Sequence, residues 1–320
     1  MLGLLIADIH IKIGQKNVPK PWAINRYRMF LDQVAEVEKS VELIVVPGDI
    51  FDRMPTLAEQ DIYWDFIVER KVPTLISTGN HEATKKGKSF FTELKKVTER
   101  LNPLVTVVVD EIYSTDEFHV VPYEFIKDKK VWDSLSTLPV FTHVRGEIPP
   151  HVKPEIDLEW LSKFPVVFAG DLHSHSNTQA NIVYPGSPMT TSFHRSEVDT
   201  GYIIFDTTDW SWSWKSFDLP QLIRKTVSTP EEMVPTDFHH TIYELEGNIQ
   251  ELSKIEHSDL LDKKLVRRSS DTALVLNVGM SIPDELREYL LYIQELSDSQ
   301  VEKIMETFYE YGSTKITSME

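Results

Sequence analysis

Short apolar runs recur through the first two hundred residues, and each ends in a polar turn. LGLLIA (2 to 7), ELIVVPG (42 to 48) and PTLISTG (73 to 79) have the length and composition of buried strands. Between them, residues 25 to 39 and 56 to 70 carry apolar positions at three- and four-residue spacing, which predicts amphipathic helices. The alternation predicts a βαβαβ opening on a parallel sheet. Further strands are expected at 104 to 109, 118 to 122, 138 to 143 and 165 to 169. Beyond the sharp turn of VYPGSP, the segments GYIIFD and WSWSWKSF form an expected hairpin. A β-rich second half predicts a mixed sheet or two packed sheets. No G-x-G-x-x-G or P-loop pattern is present, so nothing supports a nucleotide cofactor.

The pattern changes after Pro220. Residues 226 to 237 (TVSTPEEMVPTD) are rich in proline and acid and read as a linker. HTIYELEG and TALVLNVGM are expected strands around a helix near 248 to 256. From 284 the tail is expected to be helical, its last segment opening on Ser297 or Asp298 as a cap. The expected division is a catalytic domain over 1 to 222, a smaller α+β domain over 223 to 282 and a helical segment over 283 to 320.

Composition narrows the chemistry. The 320 residues include no cysteine, which excludes disulfides, zinc-thiolate sites and thiol nucleophiles. The opening MLGLLIADIH is too short an apolar run for a signal peptide, and no stretch approaches the ~20 apolar residues of a membrane span. A cytoplasmic location without membrane contact is the expectation. The net charge of -17 argues against nucleic acid as a default partner. Its distribution argues otherwise. Residues 11 to 31 carry Lys12, Lys16, Lys20, Arg26 and Arg28 and no acid, and Lys85, Lys86 and Lys88 follow a little later. Such residues on their own are as readily solvated lysines as phosphate contacts.

The strand ends collect metal-capable groups. The first gives Asp8 and His10, the second Asp49 and Asp52, the third Asn80, His81 and Glu82. The run at 138 to 143 ends in His143, and VVFAGDLHSHSN (166 to 177) presents Asp171, His173 and His175. Singly, each is more often a turn residue, a cap or a satisfied core histidine. Five strand ends carrying acids and imidazoles in succession point to one ligand cluster at one sheet edge. Oxygen and nitrogen donors without thiolate suit Mn²⁺, Mg²⁺ or Fe²⁺.

The set D-x-H, G-D-x-x-D, G-N-H-E, a later histidine and a final G-x-x-H resembles the calcineurin-like metallophosphoesterases. GDIFD (48 to 52), GNHE (79 to 82), VVPY (120 to 123) and YPGSP (184 to 188) make the resemblance closest to SbcD-type DNA repair nucleases and their bacteriophage recombination relatives. It covers roughly residues 1 to 220. It implies a four-layer α/β sandwich of two mixed sheets flanked by helices, with a smaller capping domain and C-terminal helices. It further implies two divalent ions, Mn²⁺ foremost and Mg²⁺ next. Asp8, His10 and the last histidine of the final motif would hold one; Asn80, His143 and the residue two before that histidine would hold the other; Asp49 would bridge. His81 would serve the leaving oxygen, with Glu82 orienting its ring and Asp52 bracing the second motif.

The final motif departs from the family's Gly-His-x-His. Anchored on Gly170, its ligands are Asp171 and His173; anchored on the two histidines, they are His173 and His175. The distance to YPGSP and the strand end at Ala169 favour the first register. The expected activity is cleavage of DNA, exo- or endonucleolytic, in repair and recombination. The basic loops, with Lys263, Lys264, Arg267 and Arg268 of the smaller domain as candidate contacts, would meet the phosphate backbone, although a solvated helix face accounts for those four as readily. The resemblance also implies a homodimer and docking of the C-terminal helices on an SbcC-type coiled-coil ATPase. The rival expectations are a small-molecule phosphodiesterase or phosphatase, and a non-catalytic scaffold.

Overall fold

The computed structural model describes residues 1–83, 89–256, 258–266, 280–294 and 296–316. By internal contact the chain forms two units. One is Met1–Leu245 with Ile255–Lys264; the other is Glu246–Lys254 with Leu265–Glu320.

The first unit opens with four parallel strands, β1 (Leu2–Leu5), β2 (Leu43–Pro47), β3 (Thr74–Ser77) and β4 (Val105–Val108). Helices α1 (Lys20–Glu38), α2 (Leu57–Val68) and α3 (Phe91–Leu101) link them in turn. A second sheet follows: β5 (Tyr113–Ser114), β6 (His119–Val121), β7 (Val140–His143), β8 (Val167–Gly170) and β9 (Ile182–Val183), with the short α4 (Lys129–Ser134) between β6 and β7. The hairpin of β10 (Gly201–Asp206) and β11 (Trp212–Ser216) then returns to the first sheet, whose order is β11-β10-β1-β2-β3-β4. Both sheets are mixed, because β10 lies antiparallel to β1 and β5 antiparallel to β6.

Alternation along each strand builds four layers. Leu4, Ile44, Val46 and Ile76 bury against Tyr27, Phe30, Ile62, Phe66 and Phe91 of the helices. Leu5, Val45, Leu75 and Ile203 point the other way and meet Val120, Phe141 and Phe168 of the second sheet. Val140, Val167 and Ala169 face a third core with Ile126, Trp132 and Phe164. A strand buried on both faces is necessarily a continuous apolar run, and this is why β1, β2 and β8 read so clearly in sequence.

A third sheet contains β12 (Leu222–Val227), β13 (His240–Gly247) and β14 (Leu261–Val266). β12 occupies the first residues of the expected linker. Lys263 and Lys264 lie on β14, and each is engaged: Lys263 pairs with Glu244 at 2.8 Å, and Lys264 donates to the carbonyl of Ile255 at 2.6 Å. Arg267, Arg268 and the expected strand over 272 to 279 lie outside the described residues.

In the second unit, α5 (Ile249–Lys254) occupies the expected helix near 248 to 256. The tail holds α6 (Ile282–Glu288) and α7 (Asp298–Ile316). Leu290, Val301 and Met305 are buried there against Leu286, Leu291, Leu296 and Phe308. No described helix is long and apolar enough to cross a membrane.

Candidate metal centre

At the C-terminal ends of β1, β2 and β8 the chain leaves the ladder through left-handed backbone. Asp8, His10, Asp49 and Asp171 have φ of 55°, 48°, 53° and 98°. Each such non-glycine conformation costs on the order of 1–3 kcal/mol and persists where surrounding structure holds it, most often at functional sites. Here the holding groups are visible. The amides of His10 and Ile11 donate to the carbonyls of Asp49 and Ile50, so the first two motifs bind each other edge to edge. Tyr27 of α1 donates to the carbonyl of His10 and accepts from the amide of Lys12, both at 2.8 Å. Glu59, in the capping box of α2, takes the amide of Ile13 at 2.9 Å. Glycine is required at two points of this crossing. A Cβ on Gly79 would stand 2.2 Å from Asp49 Oδ1, and one on Gly170 would stand 2.6 Å from His143 Nδ1.

The expected ligands converge. Three groups of donor atoms lie within 4.8 Å of one another: Asp8, His10 and His173; His10, Asp49 and His81; Asp8, Asp49 and His143. Asn80 joins the last through its Oδ1, 2.9 Å from His143 Nε2, which lies 3.4 Å from Asp49 Oδ2. The donor set fits divalent ions on two observations. His143 gives its Nδ1 proton to the carbonyl of Pro47 at 3.1 Å, which leaves Nε2 aimed into the cluster. Metal-binding imidazoles are commonly fixed in this way. The Nε2 atoms of His10 and His173 face each other at 3.1 Å, and His173 Nδ1 is held by the hydroxyl of Thr191 at the same distance. Two imidazole lone pairs that close repel unless a proton or a cation lies between them.

The charge balance agrees. Burial pushes the Asp8 carboxyl up to about 6, and it depresses the imidazole of His10, with His173 as the next cause. For His143, burial works toward a lower value. The charges of Asp49 first, and of the nearby Asp171 and Asp8, outweigh it and hold the ring up to about 10. The cluster is thus anionic enough to retain a proton on a buried imidazole, and a dication would displace that proton.

Asp171 and His173 both enter this edge, whereas His175 turns away. Its Nδ1 donates to the carbonyl of Tyr184 at 2.6 Å, and its ring stacks on Trp214 at a centroid distance of 5.6 Å. Asp171 approaches His143 Nε2 to 3.7 Å, and both its oxygens are already taken by Arg145 at 2.9 and 3.0 Å.

Two sequence expectations need correction. Glu82 does not orient the His81 ring. It is buried beneath the motifs, where its carboxylate accepts from the amides of Asp49, Phe51 and Gly79 at 2.8–3.0 Å. Burial first, and Asp49 second, raise it to about 8. The ring of His81 is oriented by the carbonyl of Asp52, which takes its Nδ1 proton at 2.5 Å and turns Nε2 toward Asp49 Oδ2 at 3.9 Å. Arg26 is not available to a ligand; it is buried, donates to the carbonyl of Thr190 at 3.0 Å and lies over the Trp22 ring. Of the remaining basic residues, Lys12 pairs with Asp52 at 2.8 Å, and Lys16, Lys20 and Arg28 are exposed. Lys85, Lys86 and Lys88 lie outside the described residues.

Sequence inspection missed Arg145 and Thr191. A usable signal existed for the first: an arginine two residues past a ligand histidine, with an acid at a position where an imidazole is usual. Thr191 carries no local signal.

The family model for calcineurin-like phosphoesterases matches residues 4–205. The "Probable exonuclease subunit 1" of Escherichia phage T5 is 39% identical over 312 residues, covering 94% of this chain and 96% of that protein. The "Putative phosphoesterase 244L" of Invertebrate iridescent virus 6 is 24% identical over 246 residues, 71% of this chain and 82% of that protein. Among solved structures, TT1561 of Thermus thermophilus overlaps 66% of this chain and 96% of its own, with a TM-score of 0.43 and 12% identity. By its matched model, its similarity across nearly the whole T5 protein and the ligand groups at its sheet edge, the chain belongs to the calcineurin-like phosphoesterase family.

Proposed function

We propose that this chain is a two-metal DNA nuclease, the nuclease subunit of a phage recombination complex with an SbcC-type ATPase. One observation carries the reading: three donor groups overlap at Asp8, His10 and Asp49, in a chain 39% identical to a probable phage exonuclease subunit. Asp8, His10 and His173 would hold one ion, and Asn80, His143 and Asp171 the other, with Asp49 shared. Mn²⁺ suits this mixed oxygen and imidazole set, with Mg²⁺ as the alternative. Bound ions would supply an activated water and neutralise the phosphoryl oxygens.

The chain's own groups do the rest. His81 is held at Nδ1 by the carbonyl of Asp52, so Nε2 is the atom left to give a proton to the leaving oxygen when the ring is an imidazolium. Glu82 fixes three amides of the motif loops and thereby keeps Asp49 and His81 in register. Lys16, Lys20 and Arg28 on exposed positions support contact with a phosphate backbone, as does a local surplus of positive charge in an acidic protein. Residues 223–282 would cap the DNA groove. The exposed Tyr292, Ile293 and Ile304 of the C-terminal helices are where a coiled coil would dock. A homodimer through α2, where Leu57 is 80% exposed, belongs to the same reading.

Linear and circular DNA incubated with Mn²⁺ or Mg²⁺ test it. Wild type should cut DNA, and His81→Ser should bind it without cutting. Turnover of bis-p-nitrophenyl phosphate with no DNA cleavage would assign the chain to small phosphodiesters instead.

A further inference from the structure

Arg145 stands outside the three ligand groups and yet is fastened to them. It leaves β7 two residues after His143. Its Nε and Nη2 form a two-point fork on Asp171, whose side chain is 5% exposed and whose amide donates to Asp8 Oδ1 at 3.0 Å. The root of the side chain is fixed as well. The Arg145 amide donates to Glu155 Oε1 at 3.1 Å, and Tyr123 holds the other Glu155 oxygen at 2.8 Å. Arg145 thus pairs with Asp171 as Lys12 pairs with Asp52 on the other side of the edge. Its side chain nonetheless remains 41% exposed.

A guanidinium carries five N–H donors. The fork on Asp171 uses two, and no described residue accepts from Nη1. A cation serving only to neutralise Asp171 would be better enclosed; this one keeps a donor edge open to solvent beside the ligand cluster. Its orientation is set in advance by the two side-chain hydrogen bonds to Asp171 and the amide bond to Glu155, so little side-chain entropy remains to be lost on binding. Arginine held in this way is suited to phosphate oxygens, which match its planar fork.

We propose that Arg145 is a phosphate-binding residue, its free edge taking a non-bridging oxygen of the phosphate that flanks the scissile one. The flanking phosphate is assigned because the guanidinium is at the solvent-exposed rim, whereas Asp49 and His143 are buried. This rests on the nuclease reading above, and it gives Asp171 a second task as the anchor of a substrate-binding arginine.

The test compares full-length wild type with Arg145→Met and Arg145→Lys. Affinity for a labelled oligonucleotide is measured by fluorescence anisotropy in EDTA across salt concentrations, and KM is measured for DNA and for bis-p-nitrophenyl phosphate. Arg145→Met should weaken DNA binding about tenfold, the loss of one charged hydrogen bond. Its salt slope should fall by about one. KM should rise more for DNA than for the small diester, which has no flanking phosphate. Arg145→Lys should keep the slope and recover part of the affinity. Unaltered DNA affinity and slope in Arg145→Met would overturn the proposal. So would equal losses on both substrates together with a lost metal ion, which would make Arg145 only a brace for Asp171. Wild type that binds no DNA but hydrolyses the small diester would overturn the nuclease reading and this inference with it.

Discussion

On the β1–β2 side of the site, Asp8 and Asp49 are met by imidazoles and backbone amides; on the β7–β8 side, Asp171 is met by an arginine. The consequence is seen in their acidities. Burial raises Asp8 to about 6; burial works the same way on Asp171, but the nearby His143 ring and the hydrogen bonds from Arg145 overcome it and bring it down to about 2. Among the described residues Asp8 has no lysine or arginine partner, only the His143 ring at 3.9 Å, whereas Asp171 is paired with a fixed guanidinium. Two acids a few ångströms apart are therefore prepared for different tasks, one to take a metal and the other to share itself between a metal and a fixed guanidinium.

The largest effects should fall on the β1–β2 side. Asp49→Asn removes the carboxylate common to two ligand groups, and DNA cleavage should fall by at least ~10²-fold, as for loss of a principal electrostatic stabiliser. Metal titration of the same variant should find neither ion tightly held. His81→Ser should lower single-turnover cleavage by about 10²- to 10⁴-fold, the range for loss of a general acid. The number of bound ions should not change, and a drop would make His81 a ligand.

Glu82→Ala leaves three amide donors beneath the motifs without their acceptor. At ~1–3 kcal/mol for each buried orphan, the loss in stability should exceed ~3 kcal/mol in urea unfolding, with activity falling in step. A variant of native stability would mean that water replaces the carboxylate. On the other side of the comparison, Asp171→Ala should lose one of two bound ions and His175→Ala should lose neither. The opposite pair of results would reinstate the register anchored on the two histidines.

A smaller effect is expected from pH. Asp8, Glu82 and His143 all have folded values above their ordinary ones, at about 6, 8 and 10. Each contributes stability in its protonated form that is lost as pH rises from its ordinary value to the folded one. Asp8 has therefore lost its share by about pH 6, and the decline above that belongs to Glu82 and His143. The melting temperature in EDTA should decline between pH 6 and pH 10, and Mn²⁺ should reduce the decline. A rise over that window would contradict the charge balance described here.

Much of this was legible before the fold. The apolar runs marked strands buried on both faces, and D-x-H, G-D-x-x-D and G-N-H-E marked their ends. What sequence could not supply were partners chosen by tertiary contact. Arg26 reads as a surface cation until Thr190, 164 residues away, takes its donor. Glu82 adjoins His81 in sequence, but its side chain turns back to the amides of Asp49 and Phe51. The strand β14 is charged and half exposed, and so gives no apolar run to read. Arg145 was visible as a residue and invisible as an ion pair, because Asp171 reaches it only when β7 and β8 lie side by side.

The central claim is a shared-carboxylate site for two divalent ions. Crystals grown with Mn²⁺ and measured at its absorption edge test it most directly. Two anomalous peaks should appear, one among Asp8, His10 and His173 and one beside Asn80 and His143, with Asp49 between them. A single peak, or none within reach of Asp49, would contradict it.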